Sequence, residues 1–145
     1  MRKVLIGIIA GLLMCGQALA GIDSVQIINT TLDDDPTSIT GTRNIADYGK
    51  VGFYVVYDET QVGNSISVAV TLHVSHDGTN WITGYFYDFA GGTTLQTSET
   101  LSSDGSYVFW LPAALQVPYA RVTITATNSD ADDLADVDCF VTGQR

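Results

Sequence analysis

The stretch NSISVAVTLHVSHDGTNWITGYFYDF, Asn64 to Phe89, decides the fold. In its first half Val68, Val70, Leu72 and Val74 alternate with Ser67, Ala69, Thr71, His73 and Ser75, the period-two pattern of a strand with one face buried and one face wet. His76-Asp77-Gly78-Thr79-Asn80 then makes a turn, because Gly takes positive φ without steric cost and Asp and Asn side chains bond a turning backbone. A second strand opens at Trp81. It sets Trp81, Tyr85, Tyr87 and Phe89 on one face and Ile82 and Phe86 on the other, so the stretch reads as an antiparallel hairpin.

The same alternation continues outward from this hairpin. On the N-terminal side Val25, Ile27 and Asn29 alternate with Gln26, Ile28 and Thr30, and Val51, Phe53, Val55 and Tyr57 share one face of a strand over residues 51–58. Between them Thr31 to Lys50 is polar and contains Asp33-Asp34-Asp35-Pro36, leaving room for at most one short edge strand around Ser38 to Thr42. On the C-terminal side Ala90-Gly91-Gly92 breaks the chain, Thr93 to Leu101 reads as one Thr-rich strand, and Ser106 to Leu111 as a short aromatic one. A last hairpin pairs Pro118 to Thr127, with Ala120, Val122, Ile124 and Ala126 facing inward, with a closing strand that buries Val137, Cys139 and Val141. No stretch carries a helical stripe. The expectation is an all-β protein, an antiparallel β-sandwich of Ig-like or jelly-roll type with about eight strands.

The N-terminal residues 1–20 stand apart. Arg2 and Lys3, the apolar run Val4 to Leu13, and Ala18-Leu19-Ala20 before Gly21 are the three parts of a secretory signal peptide. The run is shorter than the roughly 20 residues that span a bilayer, so no stable membrane span is expected after cleavage. The remaining segment, 21–145, has the size of a single domain. It keeps four basic residues, Arg43, Lys50, Arg121 and Arg145, against sixteen acidic ones, a formal charge of −12. Such a surface repels nucleic acid and anionic lipid. Cleavage would also remove Cys15 and leave Cys139 alone, so stability has to come from packing and not from a disulfide. These features place the protein outside the cytoplasm, secreted, periplasmic or at a cell surface.

The sequence Ser75-His76-Asp77-Gly78-Thr79-Asn80-Trp81 resembles the S-x-D-G-x-x-W hairpin found in β-sandwich modules of phage virion proteins and bacterial surface proteins. In such modules the Trp typically packs inward. Pro118-Tyr119-Ala120-Arg121-Val122 is similar to the strand that follows that hairpin at a distance and pairs back into the sheet. The resemblance covers about a third of the chain after Gly21 and implies a fold, with no activity attached.

Residues able to do chemistry are sparse. The sequence contains no G-x-S-x-G, no H-E-x-x-H and no phosphate-cradling glycine loop, and Cys139 falls in phase with two core valines as a buried hydrophobe. His73 and His76, three apart at a strand end, read as solvated residues and not as a metal pair. The acidic loops Asp33, Asp34, Asp35 and Asp130, Asp132, Asp133, Asp136 hold the oxygen ligands a Ca²⁺ site would need, or simply keep a secreted domain soluble. No other cofactor is expected.

The aromatic residues offer a second choice. With the larger set of 81–89 turned inward, Ile82, Phe86 and Trp110 stay outside as an apolar patch fit for a protein partner; turned outward, rings such as Tyr85 suit stacking on sugars. The reading is an exported, non-catalytic domain acting as a structural, adhesive or self-assembling surface protein. A carbohydrate-binding module that takes polysaccharide is the alternative, and a hydrolase a distant third.

Overall fold

The computed structural model describes residues 22–32, 38–59, 66–88, 94–112, 117–127 and 134–144. These residues form eleven strands: β1 (Ile22–Leu32), β2 (Ser38–Asn44), β3 (Lys50–Glu59), β4 (Ser67–Ser75), β5 (Ile82–Thr83), β6 (Phe86–Asp88), β7 (Leu95–Gln96), β8 (Ser98–Leu101), β9 (Gly105–Trp110), β10 (Tyr119–Thr127) and β11 (Ala135–Gln144). They form a six-stranded sheet in the order β1-β11-β3-β9-β6-β7 and a five-stranded sheet in the order β2-β10-β4, with β5 and β8 sharing the free edge of β4. All pairings are antiparallel.

Setting aside β5, β6 and β7, the other eight strands divide four to a sheet, β1, β11, β3, β9 in one and β2, β10, β4, β8 in the other, and the chain changes sheet at every step but β4 to β8. That is the jelly-roll order, and it resolves the Ig-like alternative. It also corrects the expected last hairpin. β10 and β11 are neighbours in sequence but lie in opposite sheets: β10 sits between β2 and β4, and β11 between β1 and β3.

The strands form where apolar residues recur every second position, because only that spacing puts them all on one face. Val68, Val70, Leu72 and Val74 of β4, Ala120, Val122, Ile124 and Ala126 of β10, Phe53, Val55 and Tyr57 of β3, and Val137, Cys139 and Val141 of β11 interleave between the sheets as one buried core. The register of β10 against β4 sets Val122 beside Leu72 and Ile124 beside Val70, so the two cleanest alternations in the sequence cover the same ground. Tyr57, buried among apolar groups, donates its hydroxyl to the carbonyl of Ile66, as a buried phenol must find an acceptor.

Three departures from simple alternation shape the molecule. In β1 the register shifts between Gln26, opposite Phe140, and Ile28, opposite Cys139. This bulge buries Ile28 and turns Ile27 to the core as well. Opposite it, β2 is an edge strand as expected, running on past Thr42 to Asn44, and it passes β1 at Gly41. A Cβ there would stand 2.8 Å from both the Ile27 carbonyl oxygen and Ile28 Cγ1, so glycine is what lets the two sheets close at this margin.

The third departure is the excursion over 82–101. β5 belongs to the smaller sheet, β6 and β7 to the larger and β8 to the smaller again, so each of two expected strands breaks in two. This is why there are eleven strands and not about eight. The first break falls at Gly84, whose N–H donates to the Leu72 carbonyl at 2.9 Å and whose missing side chain leaves room for Leu72 and Val74. Crossing there resets the phase. Phe86, expected outside with Ile82, is 1% exposed and packs edge-on against Phe109, with ring centroids 5.0 Å apart at 73°.

Candidate binding faces

Directly paired residues of antiparallel strands project to the same side, so the ladders fix what each sheet presents to solvent. Across the larger sheet Thr142, Gly52, Trp110, Tyr87 and Leu95 form one outward row, and Phe140, Tyr54 and Val108 the next. Trp110 covers Gly52: a Cβ built there would lie 3.0 Å from Cε3 and Cζ3 of the indole. The glycine thus lets the ring settle against the backbone while Trp110 stays 38% exposed. Tyr54 and Phe140 lean together, with centroids 6.1 Å apart, and the Tyr54 hydroxyl donates to Ser106 Oγ at 2.8 Å.

Beyond this aromatic band the same face turns acidic. Asp138 Oδ1 accepts from Gln26 Nε2 at 2.8 Å and from Asn29 Nδ2 at 2.6 Å, and Asp136 accepts from the Thr31 hydroxyl. Asp58 stands directly opposite Asp136 on the neighbouring strand, a like-charge pair that costs stability. The partners of Asp136 and Asp138 are neutral, and none of the three carboxylates has a basic partner among the described residues.

The outer face of the smaller sheet differs in kind. Its outward rows are Ser38, Thr125, Ala69 and Thr100; Thr40, Thr123, Thr71 and Ser98; and Thr42, Arg121, His73 and Thr83. These rows hold hydroxyls and one guanidinium, and no carboxylate. Ser38 and Thr125 hydroxyls are 2.7 Å apart. Arg121 lies over Trp81, its Cζ 4.5 Å from the ring, a cation–π contact that holds Trp81 half-buried on the outside. The inward packing implied by the S-x-D-G-x-x-W resemblance is not what this Trp does. The strand expected to pair back does so, with Tyr119 opposite Ser75 and Arg121 opposite His73.

The turn itself is held by Asp77. Its Oδ1 accepts from the N–H groups of Thr79 at 2.8 Å and Asn80 at 2.7 Å, and its Oδ2 from Asn80 Nδ2 at 2.7 Å. Gly78 takes φ +74°. The Asn80 and Thr79 N–H groups, then the Asn80 and Ser75 side chains, hold the Asp77 carboxyl far below its usual range. Burial first, and then the Arg121 guanidinium, lower the His73 pKa. His73 Nδ1 and Arg121 Nε are both buried without a hydrogen-bond partner among the described residues.

The residues singled out from sequence do not converge. Phe86 is in the core, Trp110 is on the outer face of the larger sheet, and Tyr85, 50% exposed, sits where the chain crosses between sheets. Ile82 pairs with Val74 at the edge of the smaller sheet and is 68% exposed. Of the calcium candidates, Asp33, Asp34, Asp35, Asp130, Asp132 and Asp133 lie outside the described residues, and Asp136 is on the acidic row just given. Among the described residues no three Asp, Glu, His or Cys side chains gather as metal ligands do. Burial pushes the Cys139 thiol up to about 12, which removes it as a nucleophile near neutrality. A depression of about 450 Å³ is lined by Ile45, Tyr48, Val51, Leu111 and Pro118, among others, and its described lining has no acid, histidine, cysteine or serine.

The sequence reading missed Arg121, Gly52, Tyr54 and Phe140. Gly52 between Val51 and Phe53 was the available signal, since glycine inside a strand marks a close approach by something else.

These features define a jelly-roll β-sandwich with one aromatic-acidic and one hydroxyl-rich face. Three solved structures are similar to it in varying degree. The SPBc2 prophage-derived protein YomS matches with TM-score 0.51 and 10% identity over 85% of this chain and 94% of its own. The CBM36-1 domain of a multidomain xylanase from the hindgut metagenome of Trinervitermes trinervoides has TM-score 0.44 and 12% identity, over 86% and 98% of the two chains. The VP2 subviral particle of infectious bursal disease virus has TM-score 0.40 and 13% identity, over 86% of this chain and 32% of that one. The first likeness establishes a common fold alone; the other two superpose too loosely to bear on function. No family model and no curated protein sequence matches the chain.

Proposed function

We propose that this chain is an exported, non-catalytic β-sandwich that works by attachment, to copies of itself or to a larger surface assembly, through the outer face of its larger sheet. One observation carries the reading: Trp110, Tyr87, Tyr54, Phe140 and Val108 form a continuous aromatic and apolar band across four strands. Monomeric soluble domains rarely leave such a patch facing water unless something covers it. The N-terminal segment with Arg2, Lys3, Val4 to Leu13 and Ala18-Leu19-Ala20 supports export. The buried Cys139 and a depression whose described lining holds Lys50 and Tyr48 but no Asp, Glu, His, Cys or Ser favour binding over catalysis.

A neutral polysaccharide is the second reading, favoured by Trp110 lying against Gly52 with Tyr87 beside it, because a ring held close to a sheet can stack on the apolar face of a sugar. Light scattering over rising concentration, run beside pull-down on insoluble polysaccharides, separates the two. Assembly predicts masses above the monomer that Trp110→Ala reduces. A chain that stays monomeric and binds a polysaccharide through Trp110 would replace assembly with sugar binding.

A further inference from the structure

The two outer faces are complementary to each other and cannot meet within one molecule, because they point away from the core in opposite directions. One presents Asp58, Asp136 and Asp138, none with a basic partner among the described residues, and the cation described on that face, Lys50, stands at the opposite end of β3 from Asp58. The other presents a guanidinium, Arg121, whose contacts are the Trp81 ring and neutral neighbours, on outward rows with no carboxylate. In a chain with sixteen acidic and six basic residues, an arginine without an acidic partner among the described residues is conspicuous. So is the pairing of Asp58 with Asp136 across a ladder, since like charges at that spacing repel unless a cation relieves them.

We infer that copies of this chain stack head to tail, the smaller sheet of one against the larger sheet of the next, with Arg121 set against the Asp58, Asp136 and Asp138 row. This rests on the assembly reading and adds to it which surfaces meet. The aromatic band then packs on the methyl groups of Thr40, Thr71, Thr123 and Thr125, and the charges set the register. The contact is heterologous, using two different patches, so it propagates into a ring or an open filament and not a closed pair. Pairing two larger-sheet faces with their acidic ends overlapping would bring six carboxylates together in a chain already strongly negative, and like-charge juxtaposition of that kind costs several kcal/mol.

The test is complementation between charge-reversed variants of the exported chain, followed by light scattering. Arg121→Glu spoils one face and leaves the other intact; Asp138→Arg does the reverse. Each alone is expected to weaken self-association by roughly 30-fold, the loss for breaking a buried interfacial charge pair. Mixed in equal amounts they should associate again, because each supplies the face the other has lost. Recovery in the mixture also demonstrates that both variants are folded. Thr42→Glu, which places a carboxylate opposite Arg121 on the adjacent strand and leaves the Trp81 stack alone, should likewise block association.

Wild-type protein that associates while Arg121→Glu and Thr42→Glu associate equally well overturns the stacking and leaves the assembly reading standing. Variants that lose association and do not recover on mixing also overturn it. Wild-type protein that remains monomeric removes the assembly reading itself, and the stacking with it.

Discussion

Leu72 and Ile124 face each other's strands from the centre of the core, both 2% exposed or less, and truncating either to Ala should cost about 2–5 kcal/mol through lost burial and the cavity left behind. Urea unfolding measures this, and a loss below about 1 kcal/mol would contradict their placement. Three titratable residues give stability a pH dependence whose sign follows from their surroundings. His73 is held below 6.5 and Asp77 well below 3.8. In each case the unfolded chain binds protons first on acidification, so stability present above those values is lost as pH falls through them. Cys139 works in the other direction. Its thiol keeps its proton to about 12 when folded against 9.0 for the ordinary group, so stability declines as pH rises above 9.0. Urea midpoints should therefore fall towards both extremes, and Asp77→Asn should flatten the acid side. A midpoint independent of pH would contradict these assignments, and so would rapid labelling of Cys139 in the native protein. The inward positions of Leu72, Ile124 and Cys139 were legible from alternation alone. Arg121 over Trp81 was not, because that contact depends on β10 lying beside β4, some fifty residues away in sequence.

At the scale of strands, alternation tells which face of a segment is apolar but not which sheet the segment joins. In a jelly roll this matters most, since successive strands usually change sheets and few ladders are local. The long strands β3, β4, β10 and β11 were readable within one or two residues, whereas the excursion from β5 to β8 was read as two continuous strands and its faces came out wrong at Phe86. Gly84 was the visible cue. The first strand is a sharper case. Directly after the expected cleavage point it could have been donated to a neighbour, but β1 pairs with β11 from Ile22 opposite Gln144 to Leu32 opposite Ala135 and places Ile28 and Leu32 in the core. Deleting residues 22–32 is therefore expected to leave an unfolded chain, as judged by near-ultraviolet circular dichroism. A truncated protein that stays folded and recovers assembly with added peptide would mean that the strand is exchanged between copies. Gly41→Ala, which drives a Cβ into the β1 backbone, should destabilise by about 1–3 kcal/mol through overpacking, and an unchanged urea midpoint would show that the sheet margin has slack.

For the molecule as a whole, the central claim is that the aromatic face of the larger sheet is covered in the working state. Trp110 reports on it directly, because Trp81 is the only other tryptophan in the chain and lies on the opposite face under Arg121. In a Trp81→Phe variant all tryptophan emission comes from Trp110. Acrylamide quenching of that emission, followed as the protein is concentrated into the range where light scattering detects assembly, is the most direct measurement. The account predicts that quenching falls and the emission shifts to the blue as the indole loses its remaining contact with water. Assembly that proceeds while Trp110 stays as quenchable as in the monomer would contradict it.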